Sequence, residues 1–261
     1  NSLLAARLLS AGLSNTGSGS IITQKYSRML ATLNLETQLA QAGVDFIIGI
    51  DEVGRGAIAG PVAVGVFLLE VSKLRDDSQS RSVPVAGLKD SKLLSADHRE
   101  ALVEPIRDWA LGSAIGFASA REIDDFGIIW SLNAAANKAW LELLDKFGEN
   151  LAGFSVTAIL DGTHGWFEPS ELPSGFNLEI LVQPKADRDC ATVAAASVLA
   201  KVHRDSLMVS LASEHEQYGW ESNKGYAAAD HIRAVQRFGP SAEHRHSWLG
   251  KILQPELFTE A

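Results

Sequence analysis

Two short apolar runs, joined by a link that carries two acids and several glycines, constrain this chain more than any other feature. The runs cover residues 46–50 and 62–69, and their length and β-branched content are typical of buried strands. The glycine-rich link favours neighbouring antiparallel strands. Asp51 and Glu52 follow the first run directly. Because successive side chains on a strand point to opposite faces, we expect the two acids to share a site only if the strand ends or bends there.

Two adjacent acids after a buried strand have two interpretations. They are either solvated residues at a strand end, or ligands for a hard divalent cation, which prefers oxygen atoms. The turn that follows consists of Gly54, Arg55 and Gly56. Glycine tolerates backbone angles that other residues do not, so this turn permits the bend and a close approach of the backbone to a ligand. Together with two acids further along the chain, the turn favours the cation site.

Those two acids also follow predicted strands. An apolar run over residues 154–160 leads to Asp161, which is either part of an Asp-Gly turn or another acid delivered to a strand end. A strand over residues 178–183 leads to Asp187, just before a predicted helix. Either Asp187 or Asp189 is expected to cap that helix, since acids favour helix N-termini.

The rest of the hydrophobic pattern predicts alternating helices and strands. We expect helices over residues 22–43, 95–111 (kinked or broken near Pro105), 121–147 (one or two helices), 190–205 and 228–238, and a third strand over 113–120. Small residues at 194–197 would let their helix pack closely on the sheet. Within residues 121–147 we expect seven buried side chains: Ile123, Phe126, Ile129, Leu132, Trp140, Leu143 and Leu144.

A polar segment precedes the second of these helices. Ser91 and Lys92 lie just before Ser95, a plausible N-cap. The segment is either an ordinary loop and cap, or a phosphate site made of a hydroxyl, an ammonium group and helix-end amides. The sequence leaves both open.

Composition excludes several classes of protein. No apolar segment approaches the ~20 residues needed to span a bilayer, and the single cysteine, Cys190, excludes an internal disulfide framework. The net charge of −9 argues mildly against a nucleic-acid partner. Residues 185–251, however, carry nine Lys and Arg against eight Asp and Glu, so a local basic face is expected there. The C-terminal histidines lack the cysteine partners or the spacing of a zinc site.

Four stretches resemble one family in order and spacing. They are Gly-Ile-Asp-Glu-Val-Gly-Arg-Gly (49–56), Lys-Asp-Ser-Lys-Leu-Leu-Ser (89–95), Leu-Asp-Gly (160–162), and Lys-Ala-Asp (185–187) leading into Ala-Ala-Ala-Ser-Val-Leu-Ala-Lys-Val-His-Arg-Asp (194–205). The chain is similar to bacterial ribonuclease HII, the type 2 ribonuclease H, over roughly residues 45–250. The first stretch is nearly diagnostic by itself.

The resemblance implies a ribonuclease H-like α/β fold, with a mixed five-stranded sheet flanked by helices and a C-terminal helical extension. It implies cleavage of the RNA strand of RNA–DNA hybrids, and incision 5′ of single ribonucleotides embedded in duplex DNA, leaving 5′-phosphate and 3′-hydroxyl ends. We therefore expect a flexible extension (1–20), a catalytic domain (21–220), and a C-terminal helical region that contacts substrate and packs on the same domain (221–261).

The resemblance also assigns residues. Catalytic and metal-binding roles fall on Asp51, Glu52, Asp161 and Asp187. Substrate contacts fall on Gly54, Arg55, Gly56, Ser91, Lys92, Lys185, Arg204 and Tyr226, with Tyr226 stacking on the sugar at the RNA–DNA junction. Three positions depart from the family pattern: Lys89, His203 and the Ala227-Ala228 pair after Tyr226.

Four converging carboxylates repel one another, and two Mg²⁺ or Mn²⁺ ions about 4 Å apart would relieve this repulsion and bind the scissile phosphate. One ion is expected to activate the attacking water and the other to stabilise the leaving 3′ oxygen. The expected partners are RNA–DNA hybrids and ribonucleotide-containing DNA, not membranes. We expect a cytoplasmic monomer acting in ribonucleotide excision repair.

Three other functions remain open from the sequence: another ribonuclease H-like nuclease (an integrase, a resolvase or a type 3 ribonuclease H), a non-catalytic protein that binds hybrids, and an acidic globular protein without a nucleic-acid role.

Overall fold

The computed structural model describes residues 30–75, 83–172 and 175–253. The extension predicted for residues 1–20, and the first part of the helix predicted over 22–43, lie outside these ranges. Within the described part of that helix, only Asn34–Gln41 is helical.

A mixed five-stranded sheet forms the centre of the fold, as expected. Its strands are β1 (Phe46–Val53), β2 (Val62–Glu70), β3 (Gly112–Ala118), β4 (Ser155–Asp161) and β5 (Asn177–Gln183). Their order across the sheet is β3-β2-β1-β4-β5. The pairs β1–β2 and β2–β3 are antiparallel, while β1–β4 and β4–β5 are parallel. The antiparallel pairing predicted for the first two strands is therefore confirmed.

Helices cover both faces of the sheet and also form a C-terminal region beside the β1–β2 link. They are α1 (Asn34–Gln41), α2 (Ala96–Trp109), α3 (Ala120–Phe126), α4 (Ile128–Leu151), α5 (Ala186–Asp189), α6 (Ala191–Ala212), α7 (Trp220–Asn223), α8 (Ala229–Phe238) and α9 (Gly250–Leu253). Single 3-10 turns occur at Ser72–Arg75, Ser91–Leu93, Glu216–Tyr218 and His246–Trp248. The Ser95 hydroxyl accepts a hydrogen bond from the backbone N–H of His98 at 3.3 Å, which confirms the predicted cap of α2.

Several local predictions were wrong. The helix α2 continues through Pro105, which excludes a break there, while the alternative of a kink stays a prediction. The strand β1 does not end at Asp51 and Glu52, because it pairs with β2 as far as Val53. Its pairing with β4, in contrast, ends at Ile50 and Leu160, just before Asp51. Phe126 is 58% exposed and Ile129 is 52% exposed, although both were expected to be buried. They lie on either side of the break between α3 and α4, which Gly127 makes with a positive φ of 82°.

The long helix α6 packs tightly on the sheet, as its small residues predicted. A side chain added at Gly49 would collide with the backbone of Thr192, and one at Gly65 would collide with the carbonyl of Ala196. The helix therefore lies almost directly on β1 and β2, which fixes its N-terminal end beside the acids. The opposite face of the sheet is covered mainly by α4.

A third, smaller core joins the β1–β2 link to the C-terminal region. It includes Ile58, Met208, Trp220, Val235 and Leu249. The C-terminal helices therefore pack against the same loop that carries the Gly-Arg-Gly turn. In the part of the chain that the structure describes, no helix is both long enough and apolar enough to cross a membrane.

Candidate active site

The parallel pairing of β1 and β4 brings Asp51 beside Asp161. Ile50 pairs with Leu160, so the two acids are the next residues on adjacent strands. Ile50 and Leu160 both belong to the core under α4. Since side chains alternate along a strand, both acids face the opposite side of the sheet, toward α6.

Glu52 lies beyond the last residue pair of β1 and β4, where β1 continues alone beside β2. Its Oε1 accepts a hydrogen bond from Nη1 of Arg55 at 3.2 Å. Its backbone N–H donates to Oδ1 of Asp51 at 2.8 Å. Glu52 also interacts electrostatically with both Asp51 and Asp161, so the end of β4 brings all three carboxylates into one cluster.

Asp187 joins this cluster through the turn between β5 and α5. Lys185 adopts the left-handed conformation there, with φ of 62°. The turn is held against β4, because the backbone N–H of Ala186 donates to Oδ1 of Asp161 at 2.7 Å. Oδ2 of Asp187 accepts a hydrogen bond from Nζ of Lys92 at 3.0 Å. The four predicted carboxylates therefore meet at one edge of the sheet, together with one ammonium group.

The cluster concentrates negative charge in a poorly solvated place. Burial raises the pKa of Asp51 well above its usual value, and the carboxylate of Glu52 raises it further, while the Ser197 hydroxyl and Lys92 act against the rise. Burial likewise raises the pKa of Glu52, and burial followed by repulsion from Asp187 raises the pKa of Asp161. Each shift records an unfavourable environment for an anion, which a nearby cation would relieve.

The side-chain oxygens fit a divalent cation. Oδ2 of Asp51 and Oε2 of Glu52 are buried, and neither has a hydrogen-bond partner within the described ranges. Buried anionic oxygens without donors are costly, and carboxylate oxygens are the ligands that Mg²⁺ and Mn²⁺ prefer. Among the described residues, no three His, Cys, Asp or Glu side chains already surround one point closely enough to hold a metal ion. In this arrangement Lys92 pairs with Asp187 and Arg55 pairs with Glu52.

Two buried arginines brace the Gly-Arg-Gly turn from below. Arg245 donates hydrogen bonds to the carbonyls of Gly54, Arg55 and Gly60 at 2.7 to 3.2 Å. The Arg204 side chain lies where a side chain on Gly54 would stand, and Gly54 has a positive φ of 82°. The turn therefore requires glycine at position 54, while Gly56 and Arg55 remain exposed.

Two expected phosphate contacts are corrected by this geometry. Arg204 is fully buried and donates to the carbonyls of Pro61, Ala59 and Lys224, so it positions backbone. Ser91 is also buried, and its hydroxyl shares a 2.8 Å hydrogen bond with that of Ser197 on α6. Neither side chain is placed to reach a phosphate. The side chains of Lys92 and Lys185, in contrast, are exposed at the edge of the cluster.

Tyr226 is 37% exposed, and its ring lies against Arg204, the side chain that packs beside Gly54. Nζ of Lys201 is 5.7 Å and Cζ of Arg204 is 5.4 Å from the centre of its ring. The ring belongs to a turn that is fixed by the β1–β2 link, because the backbone N–H groups of Ile58 and Ala59 both donate to the carbonyl of Gly225.

Sequence reasoning missed Arg245. In the sequence it is only one residue of a histidine-rich stretch that lacks the spacing of a zinc site. Its position between His244 and His246 gives no sign of burial, and its partners lie about 190 residues away in the chain. No local sequence pattern predicts these contacts, so the burial of Arg245 could not be inferred from the sequence of this chain.

Comparison with known proteins identifies the family to which a chain with this site belongs. The family model described as Ribonuclease HII matches residues 48–251, which contain all four carboxylates, the Gly-Arg-Gly turn and Tyr226. The chain belongs to the ribonuclease HII family. A ribonuclease HII of Streptomyces avermitilis is 39% identical over 209 residues, covering 80% of this chain and 79% of that protein.

Solved structures agree on the fold of this ribonuclease HII. A structure of the PCNA:RNase HII complex from Archaeoglobus fulgidus aligns with a TM-score of 0.57 at 23% identity, covering 81% of this chain and 98% of that one. The structure of Bst-RNase HIII in complex with Mn²⁺ aligns with a TM-score of 0.55 at 19% identity, covering 78% and 66%. Both likenesses support the ribonuclease H-like architecture, and the second protein binds a divalent cation.

Membership in this family makes the chain an endonuclease that cleaves RNA in RNA–DNA hybrids. The single cysteine plays no evident part in that chemistry. Cys190 is buried in the core under α6, and burial raises the pKa of its thiol.

Proposed function

We propose that this ribonuclease HII also incises duplex DNA on the 5′ side of a single embedded ribonucleotide, by two-metal-ion hydrolysis that leaves 5′-phosphate and 3′-hydroxyl ends. The observation that carries the metal-dependent part is the pair of buried, unpartnered oxygens, Oδ2 of Asp51 and Oε2 of Glu52. The part concerning the junction rests on the turn at residues 54–56 and on the partly exposed ring of Tyr226, which are linked through Arg204.

The four carboxylates would hold the cations, Mg²⁺ or Mn²⁺. Asp51 and Asp161 stand side by side on adjacent strands, with Glu52 and Asp187 approaching from either side. When bound, such ions lower the pKa of a water nucleophile and stabilise charge on the leaving oxygen. Because a water molecule would be the nucleophile, the reaction requires no nucleophilic side chain.

Lys92 limits repulsion within the cluster before substrate arrives. Although burial acts to lower it, the hydrogen bond to Asp187 and the charge of Asp51 raise the pKa of Lys92, so the ammonium group stays charged. Together with the exposed Lys185, it offers positive charge at the edge of the site. We infer that these two lysines receive the phosphates that flank the scissile bond.

Discrimination between RNA and DNA must depend on the 2′-hydroxyl. The backbone at residues 54–56 is held rigidly by Arg245 and is exposed at Gly56, so its amide and carbonyl groups can approach that hydroxyl. The Tyr226 ring would stack on the neighbouring deoxyribose, where an added hydroxyl would interfere. Both contacts together favour an RNA-to-DNA step.

Product mapping tests this function. A labelled duplex with one ribonucleotide, an all-DNA duplex and a continuous hybrid would be incubated with Mg²⁺, with Mn²⁺ and with chelator. We expect one cut 5′ of the ribonucleotide, cleavage of the hybrid, no cut in all-DNA, and no cut with chelator. Cleavage of the hybrid alone would contradict the junction activity, and cleavage in chelator would contradict the role of the metal.

A further inference from the structure

The backbone of the turn that carries Tyr226 is fixed at three consecutive carbonyls. Arg204 donates to that of Lys224, the β1–β2 link donates to that of Gly225, and Nδ1 of His231 lies 2.8 Å from that of Tyr226. His231 is fully buried on α8. It therefore connects the expected junction contact to the interior of the C-terminal region.

The hydrogen-bond partners of His231 determine its tautomer. A carbonyl oxygen only accepts, so Nδ1 must carry a proton to bond with Tyr226. An indole N–H only donates, and Nε1 of Trp220 donates to Nε2 of His231 at 3.0 Å. Nε2 therefore keeps its lone pair. His231 is a neutral imidazole with its proton on Nδ1.

A second buried ring continues the network. Nε2 of His244 lies 3.1 Å from Nε2 of His231. Nδ1 of His244 accepts a hydrogen bond from the backbone N–H of Ser241 at 3.0 Å, and the Ser241 hydroxyl lies 2.9 Å from the same nitrogen. Since Nδ1 is an acceptor, the proton of His244 is on Nε2 and points at Nε2 of His231, whose one lone pair then accepts from both His244 and Trp220. The two histidines are neutral and hold opposite tautomers.

We propose that His231 and His244 form a buried relay that runs from Ser241 to the Tyr226 carbonyl, and that the relay positions the Tyr226 ring for the RNA–DNA junction. His231 is then a specificity-determining positioning residue, because it acts on the substrate through Tyr226. The inference rests on the proposed role of Tyr226 at the junction.

The surroundings keep both rings neutral. A second proton on either histidine would place a donor against a donor. Burial lowers the pKa of His231, and burial together with His231, His246 and His215 lowers the pKa of His244 to about 4. Asp230 acts in the opposite sense on His231, and the Tyr218 and Trp220 rings pack against both histidines.

The tautomers can be measured on the unmodified enzyme. Long-range ¹H–¹⁵N NMR spectra of ¹⁵N-histidine-labelled protein at pH 7 should show His231 protonated at Nδ1 and His244 protonated at Nε2, both neutral. A charged ring, or His231 protonated at Nε2, would overturn the relay even if no variant folds.

Two amide substitutions separate the halves of the network. The amide of His231→Asn stands near Nδ1 and can still donate to the Tyr226 carbonyl; that of His231→Gln stands near Nε2 and can serve Trp220 and His244 instead. The readout is kcat/KM on a single-ribonucleotide duplex divided by kcat/KM on a continuous hybrid. We expect His231→Asn to keep this ratio within about twofold and His231→Gln to lower it about tenfold, mainly through KM, as loss of one buried hydrogen bond implies.

Equal effects of the two variants on the ratio would overturn the relay, and thermal unfolding of both checks that they fold. Tyr226→Ala separates this failure from failure of the proposed function. If Tyr226→Ala lowers the ratio while His231→Gln does not, the relay is wrong and the role of Tyr226 stands. If Tyr226→Ala leaves the ratio unchanged, the junction role of Tyr226 is wrong, and the relay has no substrate group to position.

Discussion

Asp161 has both a structural and a chemical task. Its Oδ1 accepts the backbone N–H of Ala186 and so holds α5 against the sheet, while its charge belongs to the carboxylate cluster. An amide at this position keeps an oxygen for Ala186 but loses the charge. The two tasks can therefore be separated by a single substitution.

We expect Asp161→Asn to lower the cleavage rate by about 10³-fold or more, since metal-assisted charge stabilisation contributes several kcal/mol. The matched control is Asp189→Asn, an exposed acid paired with Arg188 on the same short helix. It should retain activity within about twofold. Steady-state rates with Mg²⁺, together with thermal unfolding of both variants, check this. Comparable losses in both would contradict a specific role for Asp161.

For single residues, the sequence predicted which acids belong to the site better than it predicted which side chains are buried. The acids at 51, 52, 161 and 187 could be chosen because each follows a strand or lies in a distinctive motif. The burial of Arg204 and Ser91 could not be predicted, because each depends on packing against residues far along the chain. Ser91 and Lys92 are neighbours in one motif, yet the serine is buried and the lysine is exposed.

In the Gly-Arg-Gly turn, the two positions are occupied by glycine for different physical reasons. Gly54 has a positive φ and no room for a side chain beside Arg204. Gly56 has open space around the position of a Cβ atom. The fold therefore requires the first glycine, whereas the second is available for substrate approach.

These reasons predict opposite phenotypes. Gly54→Ala should lower the free energy of unfolding by about 1–3 kcal/mol, from backbone strain and collision with Arg204. Gly56→Ala should change it by less than about 0.5 kcal/mol but raise KM for a ribonucleotide-containing duplex. Urea unfolding and steady-state kinetics on both variants measure this. A Gly56→Ala enzyme with unchanged KM would show that the backbone there does not approach the substrate closely.

The N-terminus of α6 is capped from a distant helix and not by the acids that precede it. Either Asp187 or Asp189 was expected to provide the cap, but Cys190 occupies the N-cap position. Glu36 on α1 instead accepts hydrogen bonds through Oε1 from the backbone N–H and the hydroxyl of Thr192, at 3.0 and 2.9 Å. A separation of 156 residues conceals this contact from sequence patterns.

Glu36 makes stability depend on pH. Burial raises the pKa of Glu36 from 4.5 to about 7, with Thr192 acting in the opposite direction. As pH rises, the unfolded chain loses this proton before the folded chain does. The stabilisation from the protonated acid is therefore complete below pH 4.5 and is lost as pH rises through about 7.

Glu36→Gln removes this ionisation and keeps an oxygen for Thr192. Relative to the wild type, the variant should gain about 1–3 kcal/mol in free energy of unfolding between pH 5 and pH 8. Urea denaturation of both proteins at the two pH values, in chelator, measures the difference. Parallel pH profiles for the two proteins would contradict an acid with a raised pKa at this position.

In the molecule as a whole, the sheet and the C-terminal region meet at the β1–β2 link. Ala59 pairs with His244 in an isolated antiparallel bridge, and the backbone N–H of Gly60 donates to the carbonyl of Glu243. The sequence predicted the sheet because its strands are short apolar runs with clear boundaries. It could not predict this junction, whose partners are about 185 residues apart and carry no shared pattern.

The central claim is that the carboxylates of Asp51, Glu52, Asp161 and Asp187 form one cation site. Anomalous diffraction from crystals of this protein soaked in Mn²⁺ tests it most directly. We predict Mn²⁺ in contact with carboxylate oxygens of Asp51 and Glu52 and at least one of the other two acids, at ~2.0–2.3 Å. Mn²⁺ bound elsewhere, with Oδ2 of Asp51 and Oε2 of Glu52 still without a partner, would contradict the account.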